Sequence, residues 1–333
     1  MAVITLEHGA GGRKSQELIE KRIAPLFKYR NYNDLGLDGF EDGSAIRVGK
    51  EHVVFTSDSY VVKPTFFSGG DIGKLAACGT INDLAVMGAR PIAMHMNLIL
   101  EEGLQEEELG RILKSMAAVC KRERVHLLGG DTKVVEKGGG MAIAAFGIGL
   151  ASKLVRNSGL KAGDAVIVSG TIGEHEMAVF SMREKLGFFG SFKSDCAPLY
   201  GMIQKAMGAG EVHAMKDITR GGLAGALNEL AFKSGVSIHV EETGLPIRAP
   251  VKNACEVFGF DPLTLACEGR AVIGVKGKDA KSVLGALRRT REGKGAVIIG
   301  KVAPGRGEVV LNTETGGRRL VQLPTGSPLP RIC

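Results

Sequence analysis

Five aspartates in this chain stand beside glycine or other small, polar residues: Asp42 in EDGSA, Asp58 in TSDSY, Asp83 in TINDLAVMG, Asp131 in GGDTK and Asp217 in KDITRGG. Mg²⁺ takes one or two carboxylates and fills its octahedron with phosphate oxygens and water, so a carboxylate with little side chain around it suits a metal that carries phosphates. Taken singly, each aspartate could equally cap a helix or turn a loop. Asp83 differs because it falls within an otherwise apolar helical run, where an unpaired carboxylate is costly to bury. Glycine reaches 48 residues, much of it paired, as in HGAGG, SGG, LLGGD, KGGG and TRGG. Paired glycines mark positive-φ turns or close approach of backbone to a ligand, and their spread along the chain favours the ligand.

The second chemical feature is the last residue. Cys333 ends the segment TGSPLPRIC, which carries Pro324, Pro328 and Pro330. Prolines have little conformational entropy to lose and hold a chain extended, while Gly326 and Ser327 permit a hinge. That is the build of a carrier arm. Arg331 favours the thiolate and the α-carboxylate of Cys333 disfavours it. Without further information, a terminal cysteine is equally an incidental residue on a frayed end.

The elements that must position these groups follow from periodicity. A β-branched strand broken by a polar turn is expected over 52–62, a helix over 71–88, a strand over 91–100 and a long amphipathic helix over 105–124. The pattern breaks at ASKLVRNSGLKAGD. Beyond it, strands at 165–169, 236–241, 270–276 and 296–302 alternate with helices near 174–187, 197–208, 217–233, 249–258 and 279–290. This predicts two α/β (or α+β) halves. Asp71-Ile72 aligns with Asp217-Ile218, Gly79 with Gly225 and NDLA with NELA, a faint echo between the halves.

Composition removes other classes. The net charge is +7, but the basic residues are scattered, aromatics are 5% and Trp is absent, which argues against nucleic acid. SGGDIGKL has P-loop glycines at the wrong spacing and Leu75 where a hydroxyl would bind metal, and no GxGxxG opens a helix after a strand. The six cysteines form no CxxC pair, and Cys78 and Cys120 read as buried small hydrophobes. No leader pattern opens the chain and no apolar run approaches membrane length, so a cytoplasmic protein with reduced thiols is expected.

DLAVMGARPIAM, LLGGDTKVV, MKDITRGGLAGALNELA, DPLTLACEGR and the terminal LPRIC, in that order, resemble hydrogenase maturation factors of the HypE type. These belong to the superfamily of aminoimidazole ribonucleotide synthetase, selenophosphate synthetase and thiamine-monophosphate kinase. The likeness runs from HGAGG to the last residue. HGAGGRKS lacks the reactive cysteine that selenophosphate synthetase would carry there. The resemblance implies a two-domain aminoimidazole ribonucleotide synthetase-like fold in a homodimer, with the N-terminal domain supplying strands to a shared β-barrel, and a flexible tail. The corresponding division is 1–40, a glycine-rich segment; 41–152, an ATP-binding and dimerisation domain; 153–322, a C-terminal α/β domain; and 323–333, the tail.

It also implies a reaction. The carbamoyltransferase HypF places a carbamoyl group on Cys333, ATP dehydrates the thiocarboxamide to a thiocyanate, and a HypC–HypD complex accepts cyanide for the iron of [NiFe] hydrogenase. An amide oxygen is a poor leaving group, so the carbonyl oxygen attacks the γ-phosphate of ATP in line; loss of an N–H proton and phosphate then leaves S–C≡N. By resemblance Asp58, Asp83 and Asp131 hold Mg²⁺, with Asp42 close by and Asp217 contributing from the second domain. Gly9, Gly11 and Gly12 offer backbone N–H groups to phosphates, and Asn82, Gly130, Thr132 and Thr219 complete the nucleotide set. Lys133 would meet a phosphate or the carbamoyl oxygen. Glu268, in LACEGR, is the expected base, unless it pairs structurally with Arg220 or Arg270. His95 reads as a packed histidine. His175 is assigned no family role, because Glu176 stands where relatives carry glycine. The competing expectations are another ATP-dependent synthetase or kinase of the superfamily acting on a free small molecule, and a non-catalytic scaffold.

Overall fold

The computed structural model describes residues 3–186, 192–324, 329 and 332–333. After a short helix α1 (Arg13–Leu18), the first half contains β1 (Ser44–Val48), β2 (Glu51–Tyr60), β3 (Phe66–Phe67), β4 (Gly70–Asp71), α2 (Ile72–Val86), β5 (Arg90–Glu101), α3 (Glu106–Glu123), β6 (His126–Val135) and β7 (Ala142–Ala151). Four long strands and β1 form one sheet in the order β1-β2-β7-β5-β6, with only β5 and β6 parallel.

The second half contains β8 (Ala165–Val168), α4 (Glu174–Arg183), α5 (Tyr200–Met207), β9 (Val212–Asp217), α6 (Gly222–Ser234), β10 (Val236–Glu241), α7 (Ala249–Phe258), β11 (Ala271–Val275), α8 (Ala280–Arg288), β12 (Val297–Pro304), β13 (Val309–Asn312) and β14 (Arg318–Leu320). Its sheet runs β14-β13-β10-β12-β8-β11-β9. All five residues of β11 are buried because helices cover both faces. Val168 and Val272 pack with Leu227 of α6, and the alternate residues Ile167 and Ile273 pack with Ile203 of α5 and Leu287 of α8.

The first sheet is covered on one face only. There α2 and α3 pack Leu75, Ile81 and Ile112 against Met94 and Ile143. Apolar almost all round, α2 is a buried helix. Asp71 starts it by accepting the N–H groups of Gly73 and Lys74 at 2.9 and 3.0 Å. Its far end, Ala85 and Val86, lies in the core of the second half beside Met202 and Ile273. One helix therefore belongs to both hydrophobic cores.

Two expectations need correcting here. The polar turn expected within 52–62 is unbroken strand: Thr56 and Asp58 face α2, while Ser57 and Ser59 face away. The halves are also not matched at the aligned aspartates. Asp71 caps α2, whereas Asp217 closes β9 and α6 starts only at Gly222.

Gly130 has a structural duty on β6. A Cβ there would lie 1.8 Å from the carbonyl oxygen of Met96 on β5, whereas one on Gly129 would lie 3.1 Å from the movable ring of His95. Gly130→Ala is expected to destabilise the fold by about 1–3 kcal/mol and Gly129→Ala by clearly less. Thermal melts of the two variants check the order.

Candidate active site

The two halves meet over a group of carboxylates. Asp42 precedes β1, Asp58 faces inward from β2, Asp83 comes from α2 and Asp217 from the end of β9. Asp83 accepts the Thr56 hydroxyl at 2.6 Å. Asp42 pairs with Lys216, whose ammonium also meets Glu229 at 3.3 Å, and Glu229 takes Lys233 at 2.6 Å. Burial first, then the charges of Asp217, Asp58 and Asp42, raise the Asp83 carboxyl well above the usual range. Burial and the neighbouring Asp42 bring Asp217 to about 7. With Glu268, six carboxyl groups adjoin three cations, Lys216, Lys233 and Arg220. The seam is short of positive charge.

Glu268 stands at its edge, 3% exposed, with no hydrogen-bond partner for Oε1 among the described residues. Asp195 accepts the N–H groups of Glu268 and Gly269, both at 3.2 Å. Burial, then nearby Cys196, Asp217 and Asp58, push the Glu268 carboxyl up. Arg270, a structural partner considered for it, instead lies 3.6 Å from Asp195 and donates to the Thr171 carbonyl. Arg220, the other, donates to the Gly9 carbonyl at 2.9 Å and reaches Asp58 at 3.8 Å.

The tail ends in this place. Ile332 is buried in the first core, and the partly buried Cys333 packs beside it. Burial and the neighbouring Glu268 raise the thiol well above its usual range, while Arg220 draws it down. The thiol, the Glu268 carboxyl and the Arg220 guanidinium therefore share one site, open toward the aspartates. At the root of the tail, Arg13 N–H donates to the Pro324 carbonyl at 3.1 Å. Residues 325–328 and 330–331, including the expected hinge and Arg331, lie outside the described residues.

Other expected residues have different surroundings. The Gly9 carbonyl holds Arg220, the Gly11 N–H goes to the Ser15 hydroxyl at 2.9 Å, and Gly11, at φ +73, leaves no room for a Cβ against Arg220. Gly12 precedes α1 as its N-cap. This loop packs on Arg220 and the tail root. Asn82 is occupied: its amide accepts from Leu199 N–H and donates to the Ala197 carbonyl, stitching α2 to the second half. Thr219 is half-buried just before Arg220. Asp131 and Lys133 pair at 2.9 Å on exposed β6, and Thr132 lies between them. Asp58 is separated from β6 by β7 and β5, roughly 14 Å at the usual strand spacing, and Asp131 points to the face opposite α2. One chain therefore does not bring Asp131 to Asp58 and Asp83. Among the described residues no three His, Cys, Asp or Glu groups could hold a metal alone. His95 is not packed but exposed on the same open face. Arg220 was the residue the motifs undervalued; its place directly before the positive-φ pair Gly221-Gly222 is the signal that could have found it.

One cluster of carboxyl groups at an α/β seam, with the C-terminal thiol inserted beside it, defines the class. Residues 40–151 match the N-terminal domain, and residues 161–312 the C-terminal domain, of AIR synthase related proteins. The chain belongs to the HypE family within that group. It is 40% identical to carbamoyl dehydratase HypE of Rhodobacter capsulatus over 99% of this chain and 98% of that one. It is 44% identical to a hydrogenase expression/formation protein of Methanocaldococcus jannaschii, covering 99% of each. Among solved structures it resembles HypE in a HypE–HypF complex, at 42% identity and TM-score 0.86 over 92% of this chain and 99% of that one. It also resembles HypE in complex with ATP, at 36% identity and TM-score 0.82 over 99% and 100%.

The raised carboxyls fix a pH dependence. An acid whose folded pKa lies above its unfolded value stabilises the fold below the unfolded pKa, near 3.9 for aspartate, and loses that contribution as pH rises through the folded value. For Asp217 the loss is complete just above pH 7. The ligand-free protein should therefore melt progressively lower from pH 5 to 8. Asp217→Asn should flatten that slope and melt higher than the parent at pH 8; parallel slopes in differential scanning fluorimetry would remove Asp217 from this role.

Proposed function

We propose that this protein dehydrates a carbamoyl group carried on its own Cys333, using ATP, in the maturation of [NiFe] hydrogenase. The observation that carries the reading is the placement of the Cys333 thiol beside Glu268 at the acid-rich seam. A carbamoyl group on that sulfur would extend from the thiol into a site holding a buried carboxyl on one side and a guanidinium on the other. Relatives named carbamoyl dehydratase, and a relative's complex with ATP, support the same reaction class.

The thiocarboxamide oxygen attacks the γ-phosphate of ATP, releasing ADP and one N–H proton and leaving an O-phosphorylated imidate. Loss of the second N–H proton and of phosphate gives the Cys333 thiocyanate. Glu268 suits the proton step because a carboxylate held in a dry site is a stronger base than one in water. Arg220, fixed by the Gly9 carbonyl, is aimed to neutralise charge growing on oxygen. The acid excess fits Mg²⁺: Asp58 and Asp83 would hold it, with Asp217 close by, and the ion would supply charge neutralisation for the phosphates. A seam closed over the loaded tail would keep water from the intermediate. A free thiol that must stay reduced belongs in the cytoplasm, and no helix of the described residues is long and apolar enough to cross a membrane.

The uncovered face of the first sheet supports a homodimer. Phe146 of β7 and Ile99 of β5 are exposed on that face, and the edge strand β6 exposes Leu128 and Val134 by about two thirds. A second copy closing this face as a barrel would cover that surface and put Asp131, Thr132 and Lys133 near the partner's nucleotide. A relative's complex with HypF supports HypF as a partner; in this scheme HypF donates the carbamoyl group and a HypC–HypD complex accepts the cyanide. Leu128→Arg with Val134→Arg should convert the protein from twice its 35.1 kDa chain mass to a monomer in analytical ultracentrifugation; a monomeric parent would sink the assembly.

Intact mass after incubation with HypF, carbamoyl phosphate and ATP tests the reaction. One carbamoyl addition followed by loss of one water is expected, with Cys333→Ala inert. Glu268→Gln should still bind ATP and accept carbamoyl, yet lose dehydration by about 10²-fold or more. An unmodified Cys333 with active HypF would return the protein to the alternative of a synthetase or kinase for a free small molecule.

A further inference from the structure

The first turn of α4 bonds, through adjacent residues, to the backbone beside both reacting groups. His175 is fully buried, its ring set edge-on to Phe67 with centroids 5.2 Å apart. Its Nε2 lies 2.9 Å from the carbonyl oxygen of Ile332, one residue before the thiol. A carbonyl only accepts, so Nε2 carries the hydrogen. Nδ1 is then the acceptor, 2.8 Å from the Ser194 hydroxyl, which itself accepts Cys196 N–H at 3.1 Å. The chain Cys196 N–H to Ser194 O–H to His175 Nδ1 fixes the tautomer that donates to the tail, and burial favours the neutral ring.

Glu176 works in the opposite direction. Its carboxylate accepts Ala266 N–H at 2.6 Å, and its own N–H donates to the Ala266 carbonyl at 3.2 Å. Ala266 is two residues before Glu268. We infer that His175 and Glu176 are positioning residues: His175 seats the tail through Ile332, Glu176 seats the loop that carries Glu268, and α4 thereby sets the distance between thiol and base. The part concerning dehydration rests on the function proposed above; the seating of the tail does not. Because carbamoyl transfer needs the tail withdrawn, the His175 bond must form after loading and break before unloading.

The test uses full-length protein with His175→Leu, which removes the donor, and His175→Gln, whose amide N–H falls near the place of Nε2. Without ATP, Cys333 of the Leu variant should be alkylated by iodoacetamide about tenfold faster than the parent, the scale of one lost buried hydrogen bond, with the Gln variant close to the parent. With protein pre-loaded by HypF, the Leu variant should dehydrate about tenfold more slowly at saturating ATP, with KM for ATP unchanged and carbamoyl transfer no slower than in the parent. A merely structural histidine would instead raise KM for ATP and slow carbamoyl transfer together with dehydration. Should the Leu variant not fold, Ser194→Ala, which releases the tautomer, carries the same expectation in smaller degree. Alkylation equal in all folded variants overturns the seat. Faster alkylation of the Leu variant together with a parent that HypF never modifies upholds the seat and overturns the dehydratase reading instead.

Discussion

Electrostatic crowding governs this molecule. The fold draws Asp42, Asp58, Asp83, Asp217, Glu229 and Glu268 into one seam and supplies Lys216, Lys233 and Arg220 against them. Like charges in a poorly solvated place hold each other's protons on, and such a site is costly to keep unless its function needs it. A nucleotide's phosphates alone would worsen the repulsion. A cation that brings phosphates with it relieves both charges at once, which is why the same arrangement favours a metal–nucleotide complex over either component separately.

The rest of the structure can be read as what such a seam demands. No single domain could bury these groups, because each needs a rigid backing. Asp58 is backed by a sheet, Asp83 by a helix shared between two cores, and Asp217 by a strand end in the second sheet. Asn82, one residue before Asp83, gives its amide to the backbone of the 197–199 segment, and its nitrogen also reaches the Glu268 carbonyl at 3.5 Å. That bond locks the helix that carries the acid to the half that carries Glu268. Both termini then converge on Arg220, the N-terminal loop through the Gly9 carbonyl and the C-terminal residue through its thiol.

The sequence carried the long elements well. β5, α2 and α3 follow from runs whose period admits one reading, and α2 even announces its start with Asp71. β9 did not show, because VHAMKD has neither alternation nor β-branched enrichment and is made a strand by pairing with β11. Motif residues were legible as types but not as neighbours. GGDTK and TSDSY look alike in sequence, yet β7 and β5 separate them and the pleat turns Asp131 to the other face. Gly130 and Asn82, expected as nucleotide contacts, also have duties within the fold that their motifs did not announce: packing against the Met96 carbonyl and bonding across the seam. His175 escaped for the opposite reason. Its significance lies in a bond to a residue 157 positions away, which no local pattern encodes.

A carrier thiol meets two opposed requirements, and the structure divides them among different bonds. For transfer to a partner the sulfur must leave the seam, so the contacts that dock the tail there cannot be extensive. For dehydration it must stand still in a dry site, so its attachment cannot be loose. The tail's apolar contacts, through Leu329 and Ile332, supply affinity without direction. The His175 bond supplies direction, because it engages the backbone next to the thiol and is indifferent to what the sulfur carries. A seat that read the sulfur itself would bind the empty, carbamoylated and cyanated tails unequally and could trap one of them. On the proposed function, holding the chain one residue back would let the same dock receive each form and leave discrimination among them to Glu268, Arg220 and the charge of the seam.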